Sequence, residues 1–71
     1  MKNDKLSMES YKLITIGIIE QLKYAIDFYE KKSRVTSDLE SAAFFKGRGI
    51  AFREMKQLHE DILILVEAKM R

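Results

Sequence analysis

The chain has 71 residues, of which 34% are charged and 46% are hydrophobic, a net charge of +2, and neither cysteine nor proline. This length allows one small domain with a modest core, and the lack of cysteine excludes disulfides, iron–sulfur clusters and cysteine-based zinc sites. The single histidine excludes a histidine-rich metal cage. We therefore expect no cofactor and a fold that depends on association with another chain.

The first half of the chain predicts one long helix. Apolar residues recur in steps of three and four from Tyr11 to Tyr29, and a second stripe runs beside them from Leu13 to Ile26. This spacing is typical of an amphipathic helix, and the absence of proline lets the helix run unbroken. We predict helix 1 over about residues 8–32.

The next segment predicts a break near the middle of the chain. Cations at residues 31–34 suit the negative end of a helix dipole, and Ser37 with Glu40 matches a capping box. The sequence therefore predicts a turn over about residues 33–37, with Ser37 as the N-cap, and helix 2 over about residues 38–69.

Two such helices predict an all-α fold, an antiparallel two-helix hairpin that forms a single domain over residues 1–71. A turn centred near residue 35 places Ile18 opposite Phe52 and Ala25 opposite Phe45. The apolar surface is wider than a two-helix contact needs, which predicts a homodimer that closes into a four-helix bundle. The predicted oligomer interface comprises Ile16, Ile19, Ile26, Ala51, Leu58, Ile62 and Leu65.

The stretch 44–56 concentrates glycine, phenylalanine and basic residues inside helix 2. Gly47-Arg48-Gly49 completes neither of the glycine-rich phosphate-binding patterns, so a phosphate loop is excluded. Three alternatives remain open. Ala43, Gly47 and Ala51 form a small-residue ridge for close helix approach, the glycines permit a bend, or the helix breaks and residues 38–46 form a separate helix.

No residue pattern in the chain predicts catalysis. His59 falls on the apolar stripe of helix 2, and Lys56 and Leu63 occupy the positions where the metal-binding helix motifs would need Glu and His. A general base also needs a cleft and an orienting partner, and the sequence indicates neither. We predict that the protein is not an enzyme.

The longest apolar run, residues 13–19, is far shorter than the roughly 20 residues of a membrane span. The N-terminus also lacks the pattern of a secretory signal. These features predict a cytoplasmic protein without a membrane partner.

Residues 44–55 resemble a pattern found in small uncharacterised phage and prophage proteins. In that pattern an aromatic residue, a basic–glycine pair and a run of Ala, an aromatic residue, Arg or Lys, and Glu precede a leucine-rich helix, as Phe45, Lys46-Gly47 and 51–54 do here. The resemblance implies a small accessory protein that blocks a host factor or a defence system, and it carries no catalytic residues.

The residues themselves favour a protein-binding adaptor or inhibitor, because aromatic and arginine side chains are typical interface anchors. The predicted partner-binding residues are Phe44, Lys46, Gly47, Arg48, Phe52, Arg53 and Lys56. One alternative is a small RNA- or DNA-binding regulator that uses the basic residues of this set. The other is a purely structural oligomerisation module.

Overall fold

A computed structural model describes the backbone of residues 4–71 and the side chains from Ser7 onward. It contains two α-helices of 32 residues each, α1 (Asp4–Val35) and α2 (Leu39–Met70). Lys12 near the start of α1 pairs with Glu67 near the end of α2, so the helices run antiparallel in a rod of 56 × 14 × 14 Å. The predicted two-helix hairpin is confirmed.

The connection between the helices is shorter and later than the sequence predicted. Ser33 and Arg34 remain helical, and only residues 36–38 separate α1 from α2. The Ser33 hydroxyl donates to the Glu30 carbonyl at 2.8 Å, and the Thr36 amide and hydroxyl donate to the Lys32 carbonyl at 3.1 and 2.6 Å. The Lys32 carbonyl is one of the last four of α1, which have no partner within the helix, and the bonds from Thr36 satisfy it.

The N-cap of α2 is Asp38, which corrects the prediction of Ser37. The extended backbone of Asp38 (φ −79°, ψ 123°) starts the helix, and its Oδ2 accepts the Ser41 amide at 2.8 Å. Hydrogen bonds from the Ser41 side chain, and then from its backbone amide, lower the pKa of Asp38. An aspartate satisfies a free amide and places negative charge at the positive end of the dipole, so it is a favourable cap.

The contact between the helices, here called the seam, follows strict steps of three and four residues on both helices, as in a left-handed coiled coil. Every seam residue is buried or half-buried. On α1 the seam comprises Met8, Lys12, Thr15, Ile19, Leu22, Ile26, Tyr29 and Ser33; on α2 it comprises Phe45, Gly49, Phe52, Lys56, His59, Leu63, Val66 and Met70.

The core of the hairpin is thin. Only three hydrophobic side chains among the described residues are buried, those of Ile19, Leu22 and Ile26, and the buried Thr15 donates its hydroxyl to the Tyr11 carbonyl. The only residue of α2 that is buried is Gly49. The chain exposes 5662 Å², whereas a compact protein of 8.3 kDa would expose roughly 4,600 Å². Large hydrophobic side chains of both helices are among the exposed residues, so part of this surface is apolar and has no partner inside the hairpin.

The register differs from the predicted one by at least a helical turn. Tyr29 lies against Phe45 and Phe52, with ring centroids 6.2 and 5.6 Å away, whereas the sequence had placed Ala25 opposite Phe45 and Ile18 opposite Phe52. The later turn accounts for part of this difference, since every residue by which its centre shifts moves the facing pairs by two. Neither helix, over the residues described, has the length and hydrophobicity needed to cross a membrane.

Candidate protein-binding site

Five aromatic rings form a cluster near the turn end of the hairpin. Tyr29 stacks on Phe45 and Phe52, and two outer rings meet this stack edge-on: Phe28 contacts Tyr29 at 5.1 Å, and Phe44 contacts Phe45 at 5.6 Å between centroids. The inner rings are half-buried in the seam, while Phe28 and Phe44 are exposed. The inner stack thus fixes the outer rings at the surface.

Arg48 covers this cluster. Its guanidinium carbon lies 5.2, 5.5 and 5.8 Å from the ring centroids of Tyr29, Phe44 and Phe52, all within the range of a cation–π interaction. The contacts hold a long side chain in place, which lowers the entropy that it would lose on binding. An ordered arginine beside exposed phenylalanines is the composition of an interface anchor. We call Phe28, Phe44 and Arg48 the aromatic–arginine cluster.

The cluster belongs to a longer apolar face. On each helix, the residue that precedes a seam residue lies about 100° round the helix from it, and these positions are mostly apolar. We call the row of residues that precede seam residues the flank of each helix. Because the two right-handed helices are antiparallel, both flanks point to the same side of the hairpin and form one surface. The apolar face comprises Tyr11, Ile14, Ile18, Ala25 and Phe28 on α1, and Phe44, Ala51, Met55, Leu58, Ile62 and Leu65 on α2.

The opposite side of the hairpin is polar. Arg53 donates its Nε and Nη2 to Glu30 Oε2 across the helices, the former at 2.7 Å, and Lys12 pairs with Glu67 at 3.3 Å. Near the turn, a cleft of about 520 Å³ is lined by Glu30, Arg34, Lys46 and Arg53 together with Ser33 and Ile50. Exposed aliphatic residues on this side are interspersed with charges.

The structure does not bring the predicted partner-binding residues together. Phe44 and Arg48 lie on the apolar face, but Lys46 and Arg53 lie on the polar side and Gly47 points outward. Phe52 and Lys56 belong to the seam, where the Lys56 ammonium pairs with Glu60 at 3.0 Å. The basic residues of this set therefore do not form one positive surface, since Arg53 and Lys56 are paired with carboxylates and Arg48 lies on the other side.

The predicted oligomer interface needs a correction at two positions. Ile19 and Ile26 are buried between α1 and α2, so they are not available to a second copy. Ile16 is exposed and lies on the polar side. The other four predicted residues lie on the apolar face. Sequence reasoning missed Tyr11, Ile14 and Ile18 as exposed residues, although their spacing was visible, because it assigned that stripe to the contact within the hairpin.

The structure excludes one of the three alternatives left open for residues 47–49. The helix α2 continues through them, so residues 38–46 do not form a separate helix. Ala43, Gly47 and Ala51 are exposed, and a Cβ built on Gly47 would meet nothing within 4 Å. Gly49 instead faces α1, where a Cβ would lie 3.7 Å from Tyr29 Cβ and Glu30 Cγ. The close approach to α1 thus occurs at Gly49 and not at the predicted ridge.

His59 has a structural position in the seam. Its Nδ1–H donates to the Met55 carbonyl at 2.8 Å, one turn back along the same helix, and the side chain is half-buried. Over the residues that the structure describes, no group of three His, Cys, Asp or Glu side chains is placed to hold a metal ion.

The fold and the site together define a small antiparallel helical hairpin with a thin core and an apolar face at its surface. Comparisons with protein-family models, with curated proteins and with solved structures found no match to the chain.

Proposed function

We propose that the chain is a non-enzymatic protein-binding adaptor or inhibitor that contacts its partner through the aromatic–arginine cluster. The observation that carries this proposal is the position of Arg48 over the rings of Tyr29, Phe44 and Phe52. Phe44 and the neighbouring Phe28 are exposed. Clusters of this composition supply most of the binding energy at protein interfaces. The resemblance of residues 44–55 to small phage proteins makes a host or defence factor the first class of partner to test.

A matched pair of variants tests this function. Phe44 is 58% exposed on the apolar face and Ile50 is 48% exposed on the polar side, so Phe44→Glu and Ile50→Glu each add one charge at a surface position of the same helix. We expect a tagged chain to retain a specific protein from a bacterial lysate, Phe44→Glu to lose it, and Ile50→Glu to keep it. Equal retention by all three chains would exclude the cluster as the contact.

We further propose that two hairpins pack through their apolar faces into a four-helix bundle, which would also serve a structural role. Eight large side chains of this face are 38–63% exposed. With roughly 150–200 Å² for each such side chain, they leave on the order of 800 Å² of apolar surface per hairpin, the amount that each partner contributes to a standard interface. The largest apolar patch on a typical monomer is about 300–600 Å².

Light scattering tests the dimer with another matched pair. Leu58 (58% exposed) lies on the apolar face, and Ile64 (63% exposed) lies on the polar side. The wild type and Ile64→Glu should show twice the chain mass of 8.3 kDa, and Leu58→Glu should show the single mass. A monomeric wild type, or dimers in both variants, would contradict the proposal.

Nucleic-acid binding is supported less well, because two of the four candidate cations are neutralised by Glu30 and Glu60. Binding to phosphates would weaken steeply as salt rises. A titration of RNA and DNA between low and moderate salt measures this directly.

A further inference from the structure

We propose that the two copies are related by a twofold axis perpendicular to the helices, so that the turn end of one hairpin lies over the open end of the other. The inference rests on the proposed dimer and specifies its geometry. In this arrangement α1 packs on α1 of the second copy and α2 packs on α2, each pair antiparallel. The alternative for two stacked faces is an axis parallel to the helices, which would bring both turn ends together.

The sequence of the α2 flank is complementary to itself in the antiparallel direction. With Leu58 at the axis and opposite Leu58 of the second copy, Met55 lies opposite Ile62, and Ala51 lies opposite Leu65. A small residue thus meets a large one at the outer position, which lets side chains interdigitate at core density.

The α1 flank is also complementary to itself when two copies pack antiparallel, with the twofold axis passing through a centre between Ile18 and Gln21. Ile14 then lies opposite Ala25 of the second copy, and Tyr11 opposite Phe28. The contacts of Lys12 with Glu67 and of Tyr29 with Gly49 place this centre close to Leu58 in the hairpin. One axis can therefore satisfy both flanks at once.

Cysteine cross-linking tests the axis, because the chain has no cysteine of its own. In the proposed dimer, residue 58 meets its own copy, within the short Cα separation that a disulfide requires. Leu58→Cys should form a disulfide-linked dimer in mild oxidant roughly 100-fold faster than Ile64→Cys, since thiols held together have an effective concentration of about 1 mM against ~10 µM for free chains. Non-reducing electrophoresis measures both rates.

The outcomes separate this inference from the dimer itself. Rapid cross-linking of Leu58→Cys alone supports the perpendicular axis. If light scattering shows a wild-type dimer but Leu58→Cys links no faster than Ile64→Cys, the axis is wrong and the dimer stands. A wild type that is monomeric by light scattering overturns both.

Discussion

Replacing Gly49 measures how closely the two helices approach. Alanine is more favourable than glycine inside a helix by about 1 kcal/mol. At Gly49 the added methyl group would also lie at 3.7 Å from carbons of Tyr29 and Glu30, an ordinary contact that buries it and adds about 0.8 kcal/mol. We therefore expect Gly49→Ala to stabilise the hairpin by about 2 kcal/mol.

Gly47→Ala is the matched control, since its Cβ would meet nothing within 4 Å and only the helix propensity of about 1 kcal/mol applies. Thermal unfolding followed by circular dichroism resolves the difference, because 1 kcal/mol shifts the Tm by about 4–8 °C in a chain of this size. All chains are compared at one protein concentration, which matters if the hairpins associate.

A larger side chain at the same position should reverse the sign. The side chain of Gly49→Leu would extend beyond Cβ into Tyr29 and Glu30, and overpacking costs about 1–3 kcal/mol. If Gly49→Ala proved less stable than Gly47→Ala, the added Cβ would have to lie closer than 3.7 Å to the carbons of Tyr29 and Glu30. The explanation of Gly49 as a close but unstrained contact would then be wrong.

Three further predictions concern the core, the polar side and the cap. Leu22→Ala should cost about 2–5 kcal/mol in urea unfolding, a large share of the roughly 4–11 kcal/mol expected for a domain of this length, and an effect below 1 kcal/mol would contradict its burial. A double-mutant cycle of Glu30→Ala and Arg53→Ala should give a coupling of only about 0.2–1 kcal/mol, because the pair is exposed to solvent. Since folding lowers the pKa of Asp38 from 3.8, its stabilising effect should be complete above that value and lost as the pH falls through the lower folded value. Asp38→Asn should remove this dependence from the Tm measured against pH, and an unchanged acid profile would refute the role of the cap.

The structure contains the two helices that the sequence predicts, but it divides the predicted partner-binding residues between two surfaces of the hairpin. The aromatic and basic residues of 44–56 were expected to act together, yet one turn of helix divides them between two sides of the hairpin. Phe44 and Arg48 precede seam residues and lie on the apolar face, whereas Lys46 and Arg53 follow seam residues and lie on the polar side. A list of residues by type could not separate these two groups.

The sequence by itself determined that the chain forms two helices with a turn near its middle, because periodicity, the missing proline and the capping residues act over a few neighbouring positions. Tertiary structure decided which stripe of α1 packs inside. Ile14 and Ile18 are followed directly by Thr15 and Ile19, so the two stripes differ by a rotation of about 100°, and both are largely apolar. Only the packing of α2, set by a turn that lies later than predicted, buries one stripe and leaves the other at the surface.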